Sequence, residues 1–278
     1  MKKTKSFVAL LLALSFLAPS GLLLACDNDP TATLPPSDGV VDELPDTDTG
    51  TDNENDTPVE EAPTPVVQYA QYIRCTGENV NIRAGAGTDF AALGVAEKGE
   101  TYAVVGKVGN WYKTYYRNQI AYIYASYAAV FSLEKINDEQ TERVISEGYK
   151  LLGVPYVYGA VRLHDGKGKL LSGFSVQKFD CSSLVQYMFY QGAGKLLQVN
   201  TRTQVSQGKY VKPSELQRGD CIYFTNEQRQ HLTGIERVGH VAVYLGNNYI
   251  LHTASDYARI EKMSATRWNY YIEARRFI

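Results

Sequence analysis

Phe179-Asp180-Cys181-Ser182-Ser183-Leu184-Val185-Gln186-Tyr187 is the stretch on which the reading of this chain turns. Leu184, Val185, Met188 and Phe189 recur at the spacing of one helical face, and Asp180 is a preferred N-cap type. The pattern predicts a buried helix with Cys181 in its first turn. The positive end of a helix dipole and a nearby imidazolium both lower a thiol's pKa from about 8.5, so a depressed Cys181 pKa is expected. Taken alone, the stretch suits a buried structural cysteine equally well. Residues further along decide between the two.

Upstream, residues 138 to 152 place Val144, Ile145, Tyr149 and Leu152 on one side of a second helix, ended by Gly153-Val154-Pro155. Tyr156 follows, then a polar loop containing His164. Downstream, residues 216 to 224 read as a turn into a strand, and a polar loop over 225–238 carries His231. Two apolar runs, 238–246 and 248–254, then form strands, each with one histidine, His240 and His252. Side chains alternate along a strand, so the two histidines share a face if the turn holds an odd number of residues, such as Gly246-Asn247-Asn248. A two-residue turn would separate them unless a bulge intervened. On a shared face, His240 takes the proton from Cys181, and His252 orients the His240 ring and stabilises its charge. A satisfied core histidine is the alternative for His240 by itself, and a zinc site is the alternative for the three residues together. His164 and His231 are expected to be solvated.

Residues 69 to 131 are rich in Tyr, Val, Ile and Ala and broken by regular glycines, which argues for a small all-β barrel. Its aromatic cluster, Trp111, Tyr112, Tyr115, Tyr116, Tyr122, Tyr124 and Tyr127, divides between core and a possible carbohydrate or peptide platform. The segment before it has a different composition. Three lysines and a short apolar run make residues 1–25 a secretory signal, and Leu23-Leu24-Ala25-Cys26 resembles the bacterial lipoprotein signal, with Cys26 acylated. Residues 27–66 hold twelve acidic residues and no Lys or Arg, too polar to order themselves. With Cys26 they form a tether over 26–68, of roughly 35 Å reach. The formal net charge of −2 therefore leaves +7 on residues 67 to 278. A modestly basic body suits an acidic polymer, and no arginine-aromatic stripe argues for nucleic acid. Cys75 and Cys221 lack metal-site spacing, and Cys221 lies in an apolar run, where an unpaired thiol packs well.

Asn79-Val80-Asn81-Ile82-Arg83-Ala84-Gly85-Ala86-Gly87 and the Trp111-Tyr112-Lys113 run resemble the bacterial SH3-like domain of cell-wall proteins. Over 135–278, Pro155-Tyr156-Val157-Tyr158-Gly159, the Cys181 stretch, Arg218-Gly219-Asp220, Gly239-His240-Val241-Ala242 and His252-Thr253-Ala254-Ser255 closely resemble the NlpC family of papain-like murein cysteine peptidases. The resemblance implies an α+β fold, helices packed on an antiparallel sheet. It implies Cys181 as nucleophile, His240 as base and acid, His252 as orienting residue and Tyr156 as an oxyanion donor. Asp180 and Ser182 match positions that hold the free amine of an N-terminal L-alanine. Ala160 and Ser183 depart from the usual glycines, and the 161–176 loop is long.

The expected activity is hydrolysis of the γ-D-glutamyl–diamino acid bond of peptidoglycan stem peptides. The protein would be an exported, lipid-anchored monomer facing the cell wall, with no cofactor, metal or nucleic acid. An amidase or acyl transferase on the same scaffold is one alternative, and a catalytically silent wall-binding lipoprotein is another.

Overall fold

The computed structural model describes residues 66–278. The expected signal, the acylated Cys26 and nearly all of the tether lie outside the described residues. Glycine-punctuated apolar runs give eight strands in the first part: β1 (Tyr69–Cys75), β2 (Val80–Arg83), β3 (Ala92–Ala96), β4 (Thr101–Ala103), β5 (Gly106–Val108), β6 (Trp111–Tyr116), β7 (Gln119–Tyr124) and β8 (Ala128–Glu134). Then come α1 (Glu139–Lys150), α2 (Cys181–Ala193), α3 (Thr201–Gln204) and β9 (Lys209–Val211). The chain closes with β10 (Cys221–Phe224), β11 (His240–Gly246), β12 (Tyr249–Ala254), β13 (Tyr257–Lys262), α4 (Ala265–Asn269) and β14 (Tyr271–Arg276). The fold is α+β, as the sequence implies.

The small barrel does not stand apart. Its strands β3-β2-β7-β6-β5 form one sheet, while β8, β1 and β4 continue the sheet of the second part in the order β8-β1-β4-β13-β12-β11-β10-β14-β9. The seam is the pairing of Ile260 on β13 with Thr101 on β4. A second attachment involves the β6–β7 turn, where Arg117 and Asn118 take φ of 50° and 64°, the primed geometry that suits a two-residue hairpin. The turn's backbone N–H groups donate to the end of the first helix, Asn118 to the Lys150 carbonyl and Arg117 to the Leu152 carbonyl, both at 2.7 Å. Carbonyls that a helix leaves unpaired at its C-terminus are thus satisfied by the other lobe. Beneath the seam, Arg218 donates to Tyr72 Oη (3.0 Å), Tyr149 Oη (2.8 Å) and the Leu245 carbonyl (2.9 Å) while pairing with Glu142 at 2.6 Å. These partners come from β1, α1 and β11, so one buried guanidinium joins both lobes.

The cysteine helix forms as its sequence dictates. Leu184, Val185 and Met188 are fully buried, and Phe189 nearly so. Asp180 Oδ1 accepts from the Ser183 N–H at 2.8 Å, and Ser183 Oγ accepts from the Asp180 N–H at 2.9 Å. This is a capping box. Ser183, unusual at its position, therefore serves the helix start. At the other end Gly192 lets α1 approach closely, since a Cβ there would lie 2.4 Å from the Val144 backbone.

Candidate active site

The capped start of α2 fixes Cys181, which is 8% exposed. Its sulfur faces the backbone N–H groups of Val241 and Ser182, which places it one residue from His240 at the head of β11. The expected acidic thiol is not what the fold produces. Burial pushes the Cys181 pKa up to about 12, with the Asp180 carboxylate adding to the rise and the two N–H groups and Arg162 opposing it. Desolvation of the charged form outweighs the helix end.

The β11–β12 hairpin brings the histidines together by a route other than the odd-numbered turn. Gly246 pairs with Tyr249, so the turn is only Asn247-Asn248, with φ of 47° and 65°. A register shift between Tyr244 and Gly246 inserts Leu245 as a bulge. The bulge restores the parity that the short turn breaks, and both rings project from the face that also carries Ala242 and Ile250. His240 Nε2 and His252 Nδ1 are 2.9 Å apart, and the ring centroids lie 5.0 Å apart. Burial holds both imidazoles below their ordinary pKa, His240 most strongly.

The chain of polar contacts continues to a residue that the sequence reading missed. His252 pairs with Arg259 on β13, so Glu261, two residues on, lies diagonally across on the same face. Glu261 Oε1 stands 3.3 Å from His252 Nε2, a charge contact off the line of a hydrogen bond, and accepts from Arg267 Nη2 at 2.6 Å. Burial works to raise the Glu261 pKa, but His252 and Arg267 outweigh it and hold the carboxyl at about 2. The alternation of Arg259 and Glu261 along β13 was the available signal, usable only once the Ser255-Asp256 turn fixes the register.

Tyr156 flanks the nucleophile. It forms an isolated parallel bridge with Phe179, and Val157 N–H donates to the Phe179 carbonyl at 2.9 Å. Partial burial, with Cys181 and Asp180 nearby, pushes its hydroxyl up to about 12. It therefore stays protonated and able to donate.

Asp180 and Ser182, expected to hold a substrate amine, lie in the same cluster and are bonded to one another and to Arg162. Ser182 Oγ donates to Asp180 Oδ1 at 3.0 Å, and Arg162 Nη2 lies 2.8 Å from Asp180 Oδ2 and 3.2 Å from Ser182 Oγ. His164 departs from its expectation. It is fully buried, its ring 5.1 Å from that of Tyr190, and its Nδ1 accepts from the Gly166 N–H. His231 is exposed. Cys75, Cys181 and Cys221 are all free thiols. Among the described residues no group of three or more His, Cys, Asp and Glu side chains converges to hold a metal.

Residues 153–276 match the family model described as NlpC/P60 family, and residues 78–129 match that of the bacterial SH3 domain. The chain carries an NlpC/P60 domain behind a bacterial SH3 domain. The chain is 33% identical over 126 residues to a γ-DL-glutamyl hydrolase of Bacillus subtilis, a match covering 45% of this chain and 26% of that protein. It is 32% identical over 122 residues to the peptidoglycan endopeptidase RipB of Mycobacterium tuberculosis, covering 44% and 46% respectively. Among solved structures, an NlpC/P60 family protein from Bacillus cereus is 20% identical with a TM-score of 0.39, covering 74% of this chain and 63% of that one. The chain thus spans between about a quarter and a half of the length of these two curated relatives.

Proposed function

We propose that this protein is a cell-wall endopeptidase that hydrolyses the γ-D-glutamyl–diamino acid bond of peptidoglycan stem peptides through Cys181, His240 and His252. One observation carries the reading: a chain of contacts runs from the buried His240 and His252 to the half-buried Glu261, beginning one residue from where the Cys181 sulfur rests. The printed activities of the relatives, a γ-glutamyl hydrolase and a peptidoglycan endopeptidase, support the same bond class.

The geometry suggests how the groups divide the work. His240 Nε2 is engaged with His252, which leaves Nδ1 to take the Cys181 proton. For that, Nε2 must carry hydrogen and donate to His252 Nδ1, and His252 must carry its own hydrogen on Nε2, toward Glu261. Glu261 thereby sets both tautomers. With the thiol pKa raised and the imidazole pKa lowered, the resting pair is neutral. The sulfur loses its proton to His240 as it attacks the carbonyl. The oxyanion is received by the Tyr156 hydroxyl and the Cys181 N–H at the helix start. His240 then protonates the leaving amine, and water deacylates the thioester with His240 as base.

The amino-terminal signal and Cys26 belong to the same proposal, as the anchor of an exported lipoprotein. Among the described residues no helix is long and apolar enough to cross a membrane. Incubating the protein with purified stem peptides and weighing the products tests the reading. Cleavage between γ-D-glutamate and the diamino acid is expected. With a muramyl group on the alanine of a second set of peptides, release of muramic acid would point to an amidase, and binding of either set without products would point to a silent wall-binding protein.

A further inference from the structure

The aromatic residues of the small barrel divide as its size requires. Tyr116 is buried in the core, while Trp111, Tyr124 and Tyr127 line an open cleft of about 710 Å³ on the first lobe. Backbone pairing sets the three rings. Trp111 lies opposite Tyr124 across the β6–β7 ladder, and Tyr127 ends a single 3₁₀ turn, Ala125–Tyr127. That turn is pinned at both ends: the Ala125 N–H donates to the Asn110 carbonyl at 2.8 Å, and the Tyr127 carbonyl accepts from the Thr76 N–H at 2.9 Å. Ring centroids are 5.1 Å apart for Trp111 and Tyr124 and 6.2 Å apart for Tyr124 and Tyr127, with planes tilted by 59° and 61°. The rings form a fixed, curved cradle, its outer member Tyr127 48% exposed.

The rest of the cleft is polar. Glu78, Asn81 and Asp89 are exposed around it, and Arg83 is tied down, its Nη1 donating to the Phe90 carbonyl at 2.8 Å. Two carboxylates therefore stand against one guanidinium. A net negative charge repels a phosphate-bearing polymer and the free carboxylates of a stem peptide. An uncharged sugar ring suits the cleft on both counts. Its C–H face meets the negative face of an aromatic ring, and its hydroxyl groups donate to carboxylates and accept from an amide or guanidinium. The volume is that of a small-ligand site, and every residue lining it comes from the first lobe.

We propose that the Trp111–Tyr124–Tyr127 cleft is a saccharide-binding site that holds the uncharged sugar strand of the wall polymer, apart from the site that cuts its stems. The polymer's identity rests on the stem-peptide reading above. The ligand's chemical class, a neutral sugar chain, rests on the cleft alone.

The test uses a sugar chain that carries no peptide. Chitohexaose is titrated into the full chain carrying Cys181→Ala and Trp268→Phe. The sequence has two tryptophans, so Trp111 is then the sole indole and its emission reports on the cleft. A saturable change in that emission is expected, with an affinity about tenfold or more above that for L-alanyl-γ-D-glutamyl-L-lysine or for poly(glycerol phosphate). Adding Tyr124→Ala, or separately Tyr127→Ala, removes one ring face and should weaken chitohexaose binding about tenfold. No saturable change, the peptide or the phosphate polymer bound as tightly, or undiminished affinity in both folded ring variants would each overturn the proposal. If the ring variants do not fold, the ranking of the three probes in their parent decides, and calorimetry on the Cys181→Ala chain supplies the same constants if Trp268 cannot be replaced. Stem-peptide cleavage by the unsubstituted protein is scored separately: its absence would sink the hydrolase reading, while the chitohexaose titration still reports on the cleft.

Discussion

Replacing Glu261 by Gln keeps the shape and an acceptor oxygen but removes the charge at the end of the histidine chain. The 3.3 Å contact to His252 and the 5.0 Å between rings put that carboxylate roughly 8 Å from the His240 ring, where an ion pair at an effective dielectric constant near 20 is worth about 2 kcal/mol. His240 becomes cationic only during the reaction, so this stabilisation acts on the transition state, and its loss should lower kcat/KM about thirtyfold. KM should change little, because the charge acts only once His240 becomes cationic. The pH profile supplies a second readout. His240 must be unprotonated to act, and burial has already lowered its pKa, with Glu261 opposing that fall. The acid limb of kcat/KM should therefore lie below pH 6.5 in the parent and move lower still in Glu261→Gln. The assay is stem-peptide cleavage followed between pH 4 and 9. A variant within twofold of the parent, with its acid limb unmoved, would refute the role given to Glu261.

Four other outcomes follow from the same geometry. His240→Ala should cost about 10⁴ in kcat, and His252→Ala clearly less, because only the first moves a proton; steady-state cleavage rates compare the two. Tyr156→Phe should lower kcat about a hundredfold with KM unchanged if its hydroxyl donates to the oxyanion, again read from steady-state kinetics. With its pKa raised to about 12, Cys181 holds less thiolate than a free thiol at any lower pH, so iodoacetamide should label it more slowly than free cysteine at pH 6 to 8. Arg218→Ala strands Glu142 and two tyrosine hydroxyls and should cost about 3 kcal/mol in urea denaturation.

The cysteine helix was legible in the sequence because its main determinants are local, an N-cap residue and a spacing of apolar residues, whereas the part Ser183 plays in closing the cap emerged only from the structure. The histidine pair was legible as a pair but not in its mechanism. A bulge at Leu245 leaves no mark in composition, and only its cancellation of the short Asn247-Asn248 turn returns the rings to one face. Glu261 and Arg162 could not be read because each depends on where a distant segment lies, the register of β13 for one and the path of a long loop for the other. The thiol's pKa turned on burial, a quantity set by the whole fold, while the sequence displayed only the helix end that opposes it. His164 shows the same limit: a polar neighbourhood in sequence folded inward against Tyr190.

The turn at Arg117-Asn118 has a practical consequence for anyone cutting or grafting this molecule. A fragment starting near residue 135 would leave α1 with bare terminal carbonyls, Arg218 without its Tyr72 partner and Ile260 at a raw sheet margin. Shortened chains or chimeras should therefore keep residues 69 to 134 in cis, because the second lobe borrows its finishing hydrogen bonds from the first.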